Sequence, residues 1–321
     1  MRGATTIISS ARGPITKRLF SSTPINSSRS PALTLHSVSP LIRPHRTSTS
    51  GSSSSLSNSQ VTSSTSTLTG VKRETESKPS DFLLWPDFFT PQECRVLLEM
   101  ALWKLDRVDV ARKRTRRGRG SKSGVVTGSK ETAGSSTNDM EALQDQFVGG
   151  YGFEEGHYDS VIHQYRETLL SSLPPSPTSS PSLSSILTRL YSLLPDLPPP
   201  NPDSLPPQGT STHLLHLAPE GEILGHVDNL QASGSVICGV SLGAERTLRL
   251  VRAKGEGEGW DVKLTSGSVY LQRDSIRYGY EHSILHNNHE GSVWDGERLK
   301  SGHRISIMIR DAPSQPAKLD E

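Results

Sequence analysis

The run Arg304-Ile-Ser-Ile-Met-Ile-Arg310 decides the fold. Successive strand side chains point to opposite faces, so Ile305, Ile307 and Ile309 share one face and residues 304, 306, 308 and 310 the other. The β-branched face asks for burial. The other face carries two arginines flanking Ser306 and Met308, which reads as the wall of a polar pocket. An edge strand tagged with cations against aggregation is the plainer alternative.

Working upstream, Thr247-Leu-Arg-Leu-Val-Arg252 and Trp260-Asp-Val-Lys-Leu264 alternate, and Gly267-Ser-Val-Tyr-Leu-Gln272 reads as a buried strand entered through a turn. Ser235-Val-Ile-Cys-Gly-Val-Ser-Leu242 is β-rich as well. Short strands between Gly-rich turns, with no long helix from Leu214 to Arg310, predict a mainly β (α+β) fold, either a sandwich or a jelly roll (double-stranded β-helix). N-terminal helices are expected to pack on its sheet. The folded part is expected to open at Phe82-Leu-Leu-Trp-Pro-Asp-Phe-Phe89. Thr90-Pro-Gln-Glu93 then reads as a capping box with proline at the first helical position, followed by a stripe of Leu97, Leu98, Ala101, Leu102 and Leu105. A second helix is expected over Ser182–Leu194, with Leu183, Ile186, Leu187, Leu190 and Leu194 on one side.

Glu222-Ile-Leu-Gly-His-Val-Asp228 ends in His226-x-Asp228, and His282 and Arg304 follow in order. Side chains at i and i+2 of a strand share a face, so one strand can offer an imidazole and a carboxylate to one ion, and a later strand a third ligand. Two histidines and one carboxylate leave open positions opposite, which suits non-haem Fe(II) oxygenases. An arginine further on suits a carboxylate, because its planar fork can bind both oxygens. A second His-x-Asp, His157-Tyr158-Asp159, is followed by His216, Arg246 and Arg252. Spacing alone does not reject that set. Context favours His226, which follows the turn signal Pro219-Glu-Gly221 and precedes a β-rich run, whereas the His157 motif precedes a Ser/Pro-rich loop.

Taken together, His226-x-Asp228, Gly267-Ser-Val-Tyr270, Tyr280-Glu-His282-Ser-Ile and Arg304-Ile-Ser-Ile-Met-Ile-Arg310 resemble the AlkB-type Fe(II)/2-oxoglutarate dioxygenases, and within them the mitochondrial AlkB homologue 7 branch. His157-Tyr-Asp-Ser-Val-Ile-His-Gln-Tyr-Arg-Glu167, Leu214-Leu-His-Leu-Ala218 and Arg273-Asp-Ser-Ile-Arg-Tyr278 fit the same branch, and the resemblance covers residues 80–313 with insertions. It implies that His226, Asp228 and His282 bind Fe(II), that Arg304 holds the distal carboxylate of 2-oxoglutarate, and that Tyr270 and Arg310 line the cosubstrate or substrate pocket. Ser306 shares their face. It also implies use of O2, and decarboxylation of 2-oxoglutarate coupled to C–H hydroxylation or oxidative N-demethylation. The branch implies a protein or mitochondrial RNA substrate and a role in fatty-acid metabolism and in programmed necrosis after alkylation damage. Leu217 departs from the family pattern: many nucleic-acid-repairing members carry an aromatic residue there, and leucine cannot donate a hydroxyl hydrogen bond to the cosubstrate.

Composition bounds this reading. Only 32% of the 321 residues are hydrophobic and 5% aromatic, a deficit concentrated at the N-terminus. Residues 1–78 are rich in Ser and Thr with no acid before Glu74, the pattern of a mitochondrial transit peptide and disordered segment; Arg18-Leu-Phe-Ser-Ser22 resembles a matrix-processing site. The dioxygenase domain is expected over 79–313, with a basic insertion over about 111–142, Pro/Ser-rich loops over about 173–181 and 195–209, and a tail from 314 to 321. No stretch reaches the roughly 18 apolar residues of a membrane span, so no stable membrane insertion is expected. Cys94 and Cys238 make no disulfide framework, which fits a reducing compartment. The formal charge of +2 does not mark a nucleic-acid binder, although the basic run from Arg112 to Lys122 can bind phosphates. Two other readings stand beside the enzyme: an iron- and 2-oxoglutarate-binding sensor or scaffold, and an RNA-binding protein acting through the basic loop.

Overall fold

Both faces of the last strand are buried, and by different partners. A computed structural model of the chain describes residues 31–46, 81–117, 141–174, 183–195, 197–231, 233–254 and 258–312. In chain order its strands are β1 (Ile42–Arg46), β2 (Phe82–Trp85), β3 (Glu154–Gly156), β4 (Ile162–Leu169), β5 (Thr210–His226), β6 (Val236–Gly243), β7 (Arg246–Arg252), β8 (Glu258–Leu264), β9 (Val269–Arg273), β10 (Tyr280–Ile284), β11 (Val293–Trp294), β12 (Glu297–Arg298) and β13 (Arg304–Asp311). Three α-helices, α1 (Pro91–Arg117), α2 (Leu183–Tyr191) and α3 (Asp274–Gly279), complete the framework. On β13, Ile305, Ile307 and Ile309 pack with Leu97, Leu98, Leu187 and Leu190 of the helices. The opposite face looks into the β interior, where Leu84, Leu217, Leu248, Leu250, Val262 and Tyr270 form a second apolar cluster.

One antiparallel sheet of 11 strands makes the body, in the order β1-β8-β7-β10-β5-β13-β6-β9-β2, with β4 also paired to β5 and β3 to β4. Strand β5 turns the corner. Its first part, Thr210 to Leu217, pairs with β13, whereas Ile223 and His226 pair with β10. The sheet thereby curls over the second cluster into a jelly roll, and the mainly β class expected from the sequence is the one observed.

The helices dock as their sequence requires. The Thr90 backbone N–H donates to Glu93 Oε2 at 2.9 Å, and the Glu93 N–H donates to Thr90 Oγ1 at 3.3 Å, closing the capping box. Arg189 Nη1 donates to Glu93 Oε1 at 2.6 Å and ties α2 to the start of α1. The backbone of α1 runs on to Arg117, into the segment expected to be an irregular insertion; residues 118–140 lie outside the described ones.

The N-terminal boundary needs correction. Residues 31–46 were expected to belong to a disordered leader, yet they fold onto the sheet. Leu33 exchanges two backbone hydrogen bonds with Leu84 at 2.7 and 2.8 Å, and β1 pairs with β8 from Ile42 to Arg46. This one segment therefore joins the two ends of the sheet path, supplying β1 at one end and bonding to β2 at the other. Leu35 and Ile42 are buried, and Arg43 donates to the carbonyls of Val293 and Gly291 at 2.6 and 2.7 Å while lying 4.2 Å from the Trp294 ring centroid. The surrounding Ser/Thr composition masked four apolar residues, Leu33, Leu35, Leu41 and Ile42, placed to cover a sheet edge. Burying each large aliphatic side chain contributes about 1.5–3 kcal/mol. A chain starting at residue 47 is therefore expected to lose several kcal/mol of unfolding free energy in a urea melt, whereas one starting at residue 31 melts like the full chain.

Candidate metal centre

His226 is the last residue of β5, and β10 sets His282 directly opposite it in the antiparallel register. Asp228 follows just beyond the strand end, so the expectation that both motif residues sit on one strand holds only for His226. One ligand atom from each of His226, Asp228 and His282 lies within 4.8 Å of the other two. The two imidazole centroids are 4.3 Å apart, and His226 Nε2 lies 3.4 Å from Asp228 Oδ1. His226 Nδ1 is 2.9 Å from the Leu224 carbonyl. A carbonyl only accepts, so Nδ1 carries a proton; Nε2, which faces the Asp228 carboxylate, can offer its lone pair to an ion once the proton between them leaves.

The electrostatics suit a cation. Burial pushes the Asp228 carboxyl up, but the hydrogen bond with His226 and the charges of His282 and Arg310 outweigh it and hold it well below the usual carboxylate range. Arg310 grips that carboxylate with both arms, Nε to Oδ2 at 3.2 Å and Nη2 to Oδ1 at 3.3 Å. Burial pushes His282 down to about 4, against the pull of Asp228, so it is neutral and able to ligate. Burial also opposes protonation of His226, but its bonds with Asp228 and Leu224 raise it. Two neutral-capable imidazoles and an ionised carboxylate form a donor set that fits Fe(II).

The polar wall predicted for β13 exists. Arg304, Ser306, Met308 and Arg310 face the interior, opposite Gly243, Ser241, Gly239 and Ile237 of β6 in register. Arg304 is 1% exposed and donates from Nε to Ser241 Oγ at 3.0 Å; among the described residues no carboxylate pairs with it. An unpaired buried guanidinium costs several kcal/mol, and a carboxylate ligand on its fork would offset that cost. Tyr270 lies on β9 against the same wall, its hydroxyl 3.4 Å from Met308 Sδ and pushed up to about 12 by burial, so it stays a donor. Gly239 faces the Tyr270 ring, and a Cβ there would overlap it. Ser306 is buried beside Ser241 on this wall. Leu217 sits opposite Arg304 on the β5 side and supplies no hydroxyl; Ser241 is the hydroxyl Arg304 meets. Sequence reasoning passed over Ser241, although the alternation of β6 would have put it on the Gly239 face. It passed over His213 as well, which faces this wall opposite Met308.

The rival motif disperses. His157 Nδ1 and Asp159 Oδ1 lie 2.7 Å apart in an exposed turn, where Asp159 also accepts from the Val161 N–H at 3.0 Å. His216 lies elsewhere: its Nδ1 accepts from Arg166 Nε at 3.0 Å, and its Nε2 faces His303 Nδ1 at 3.2 Å. Arg246 donates to the carbonyls of Ala218, Pro219 and Gly302 at 3.0, 3.0 and 3.1 Å.

With this geometry in place, the family model of the 2OG-Fe(II) oxygenase superfamily matches residues 211–310, a span holding all three ligands and the whole Arg304–Arg310 wall. The chain carries a 2OG-Fe(II) oxygenase domain over residues 211–310. It is 35% identical over 164 residues to the mitochondrial alpha-ketoglutarate-dependent dioxygenase alkB homolog 7 of Bos taurus, and 34% identical over 162 residues to that of Mus musculus. Each match covers 50% of this chain and 66% of the relative, so the chain spans just under two thirds of their length. A prolyl-4-hydroxylase structure from Pseudomonas putida aligns over 73% of this chain and 94% of its own, at 11% identity and a TM-score of 0.36, too distant to carry an argument. The superfamily uses Fe(II), 2-oxoglutarate and O2, and the His226, Asp228 and His282 set fits that metal.

Two outcomes follow. Arg304→Met is expected to weaken 2-oxoglutarate binding by about 100-fold, the loss of a charge-assisted pair worth about 3 kcal/mol, with metal binding retained in anaerobic calorimetry. Independently, burial first and then Arg166 push His216 down to about 2. The unfolded chain protonates this residue near pH 6.5 and the folded chain does not. Its contribution is therefore full above pH 6.5 and is lost by about 1.4 kcal/mol per pH unit below it. Urea melts from pH 7 to pH 4.5 are expected to show a shallower loss for His216→Gln than for the wild type.

Proposed function

We propose that this protein is a mitochondrial 2-oxoglutarate-dependent dioxygenase that hydroxylates a C–H bond of a protein substrate, with oxidative N-demethylation as one form of the same reaction. The observation that carries the reading is Arg304, a buried cation without a carboxylate partner among the described residues, on the wall beside the three metal ligands. When bound, Fe(II) supplies the oxidising chemistry that couples O2 reduction and 2-oxoglutarate decarboxylation to attack on a C–H bond. The chain does the rest. His226, Asp228 and His282 hold the ion, Arg304 fixes one cosubstrate carboxylate, and the Tyr270 hydroxyl donates into the same pocket. Arg310 keeps Asp228 ionised. The apolar interior around Leu217 and Met308 keeps water from the reacting atoms.

The rim supports a polypeptide over a nucleic acid. Leu224, Leu230 and Tyr278 are 42%, 56% and 48% exposed; the first two lie two residues from a ligand, and Tyr278 is on α3, which leads into β10. The turn holding Asp159 abuts this rim, since the Leu224 N–H donates to the Val161 carbonyl at 2.8 Å. Asp159 is exposed in that turn. Phosphate contacts dominate nucleic-acid affinity, and an acid there repels them. The relatives are named mitochondrial, and the Arg/Ser-rich leader supports placement in the matrix. The setting we attach to this reading is the fatty-acid metabolism and necrosis implied by the branch it resembles. The side chains of Arg112–Lys122 lie outside the described residues, so an RNA role for them is left to the test.

The test is succinate release with Fe(II), 2-oxoglutarate and O2, with mitochondrial protein or mitochondrial RNA added. Stimulation by the protein fraction is expected. Stimulation by RNA alone would overturn the substrate class, and no succinate with either fraction would favour the sensor over the enzyme.

A further inference from the structure

Asp228 sits outside every strand, so sheet pairing does not hold its backbone. Something else must, because a site works only when its residues are held within about 0.5 Å of the productive geometry. The segment from Asp228 to Val236 is clamped at both ends. At the far end, Asp311 accepts from the Ser235 and Val236 N–H groups, each at 3.0 Å. At the near end stands Arg277 of α3, only 2% exposed. Its Nη1 donates to the Asp228 carbonyl at 3.2 Å, and its Nη2 to the Asn229 carbonyl at 3.3 Å and to Ser233 Oγ at 2.8 Å. The helix is itself pinned, since Asp81 Oδ2 accepts from the Ser275 N–H at 3.2 Å and from its hydroxyl at 2.6 Å.

We infer that Arg277 is a positioning residue for the metal centre: it fixes the Asp228 main chain so that the carboxylate meets His226 and His282. The inference rests on the metal-centre reading above and adds to it a residue that touches neither metal nor cosubstrate. Its sign is diagnostic. Arg277 is a cation near the site, so if it acted only as a charge, its removal would tighten cation binding. Acting as a clamp, its removal weakens binding. Loss of an outer hydrogen-bonding partner typically costs about 10–100-fold in metal affinity.

The experiment titrates Co(II) alone into the full chain and into Arg277→Met, Arg277→Lys and Ser233→Ala, with the metal-free melting temperature recorded for each. Arg277→Met is expected to bind Co(II) about 10–100-fold more weakly. Arg277→Lys, which keeps one donor group, should fall between it and the wild type, and Ser233→Ala, which keeps both carbonyl bonds, should lie nearer the wild type. Wild-type or tighter Co(II) affinity in folded Arg277→Met would overturn the inference, even if its melting temperature fell, because that pattern marks a purely structural role. If Arg277→Met fails to fold, Arg277→Lys decides by the same criterion. A wild-type chain that does not bind Co(II) would sink the metal centre itself, a separable result.

Discussion

The antiparallel register between β5 and β10 is the constraint on which this site depends. It places His282 opposite His226, and a slip of one residue would turn either imidazole to the other face of the sheet. The register survives because β5 serves both halves of the jelly roll. Its first part is locked to β13 from Thr210 to Leu217, and its second part meets β10 at Ile223 and His226. Arg246 holds the middle of β5 by donating to the main-chain carbonyls of Ala218 and Pro219, and ties it to the β10–β13 connection through the Gly302 carbonyl and the Asn287 side-chain oxygen. A buried guanidinium is thus used as a backbone clamp at the corner of β5, as Arg277 is beyond its end.

The interior departs from an apolar core in a directed way. Arg246, Arg277 and Arg304 are all nearly inaccessible, yet only the first two spend their donors mainly on carbonyls. Arg304 donates its Nε to the Ser241 hydroxyl, and among the described residues no carboxylate pairs with it. Such a group costs stability while unpaired, and a carboxylate ligand on its fork would offset that cost. The surrounding residues match this use: Gly239 leaves room for the Tyr270 ring, and Tyr270 remains a protonated donor.

Much of this was legible in the chain. The alternation of Arg304–Arg310 announced two buried faces of opposite character, and the order of His226, Asp228, His282 and Arg304 announced the centre, because both signals are local patterns of side-chain type. The capping box at Thr90 and Glu93 was equally plain. What stayed hidden depends on partners that side-chain type does not encode. The acceptor that sets the His226 tautomer is a main-chain carbonyl, Leu224. Arg277 looks like any surface arginine until α3 folds beneath Asp228. Leu33, Leu35 and Ile42 were lost in a Ser/Thr-rich background, although they cover the last open edge of the sheet. The His157 motif was indistinguishable by spacing; only its turn, and the diversion of His216 to Arg166 and His303, set it apart.

The central claim is that His226, Asp228 and His282 would hold Fe(II) and that Arg304 would bind a carboxylate of 2-oxoglutarate. Anaerobic absorbance of the Fe(II)-loaded protein tests this most directly, since chelation of ferrous iron by a 2-oxo acid produces a visible metal-to-ligand charge-transfer band. The account predicts that the band appears with the wild type, is absent in His226→Ala, and needs far more 2-oxoglutarate in Arg304→Met. No band with the wild type, or a band unchanged in His226→Ala, would contradict it.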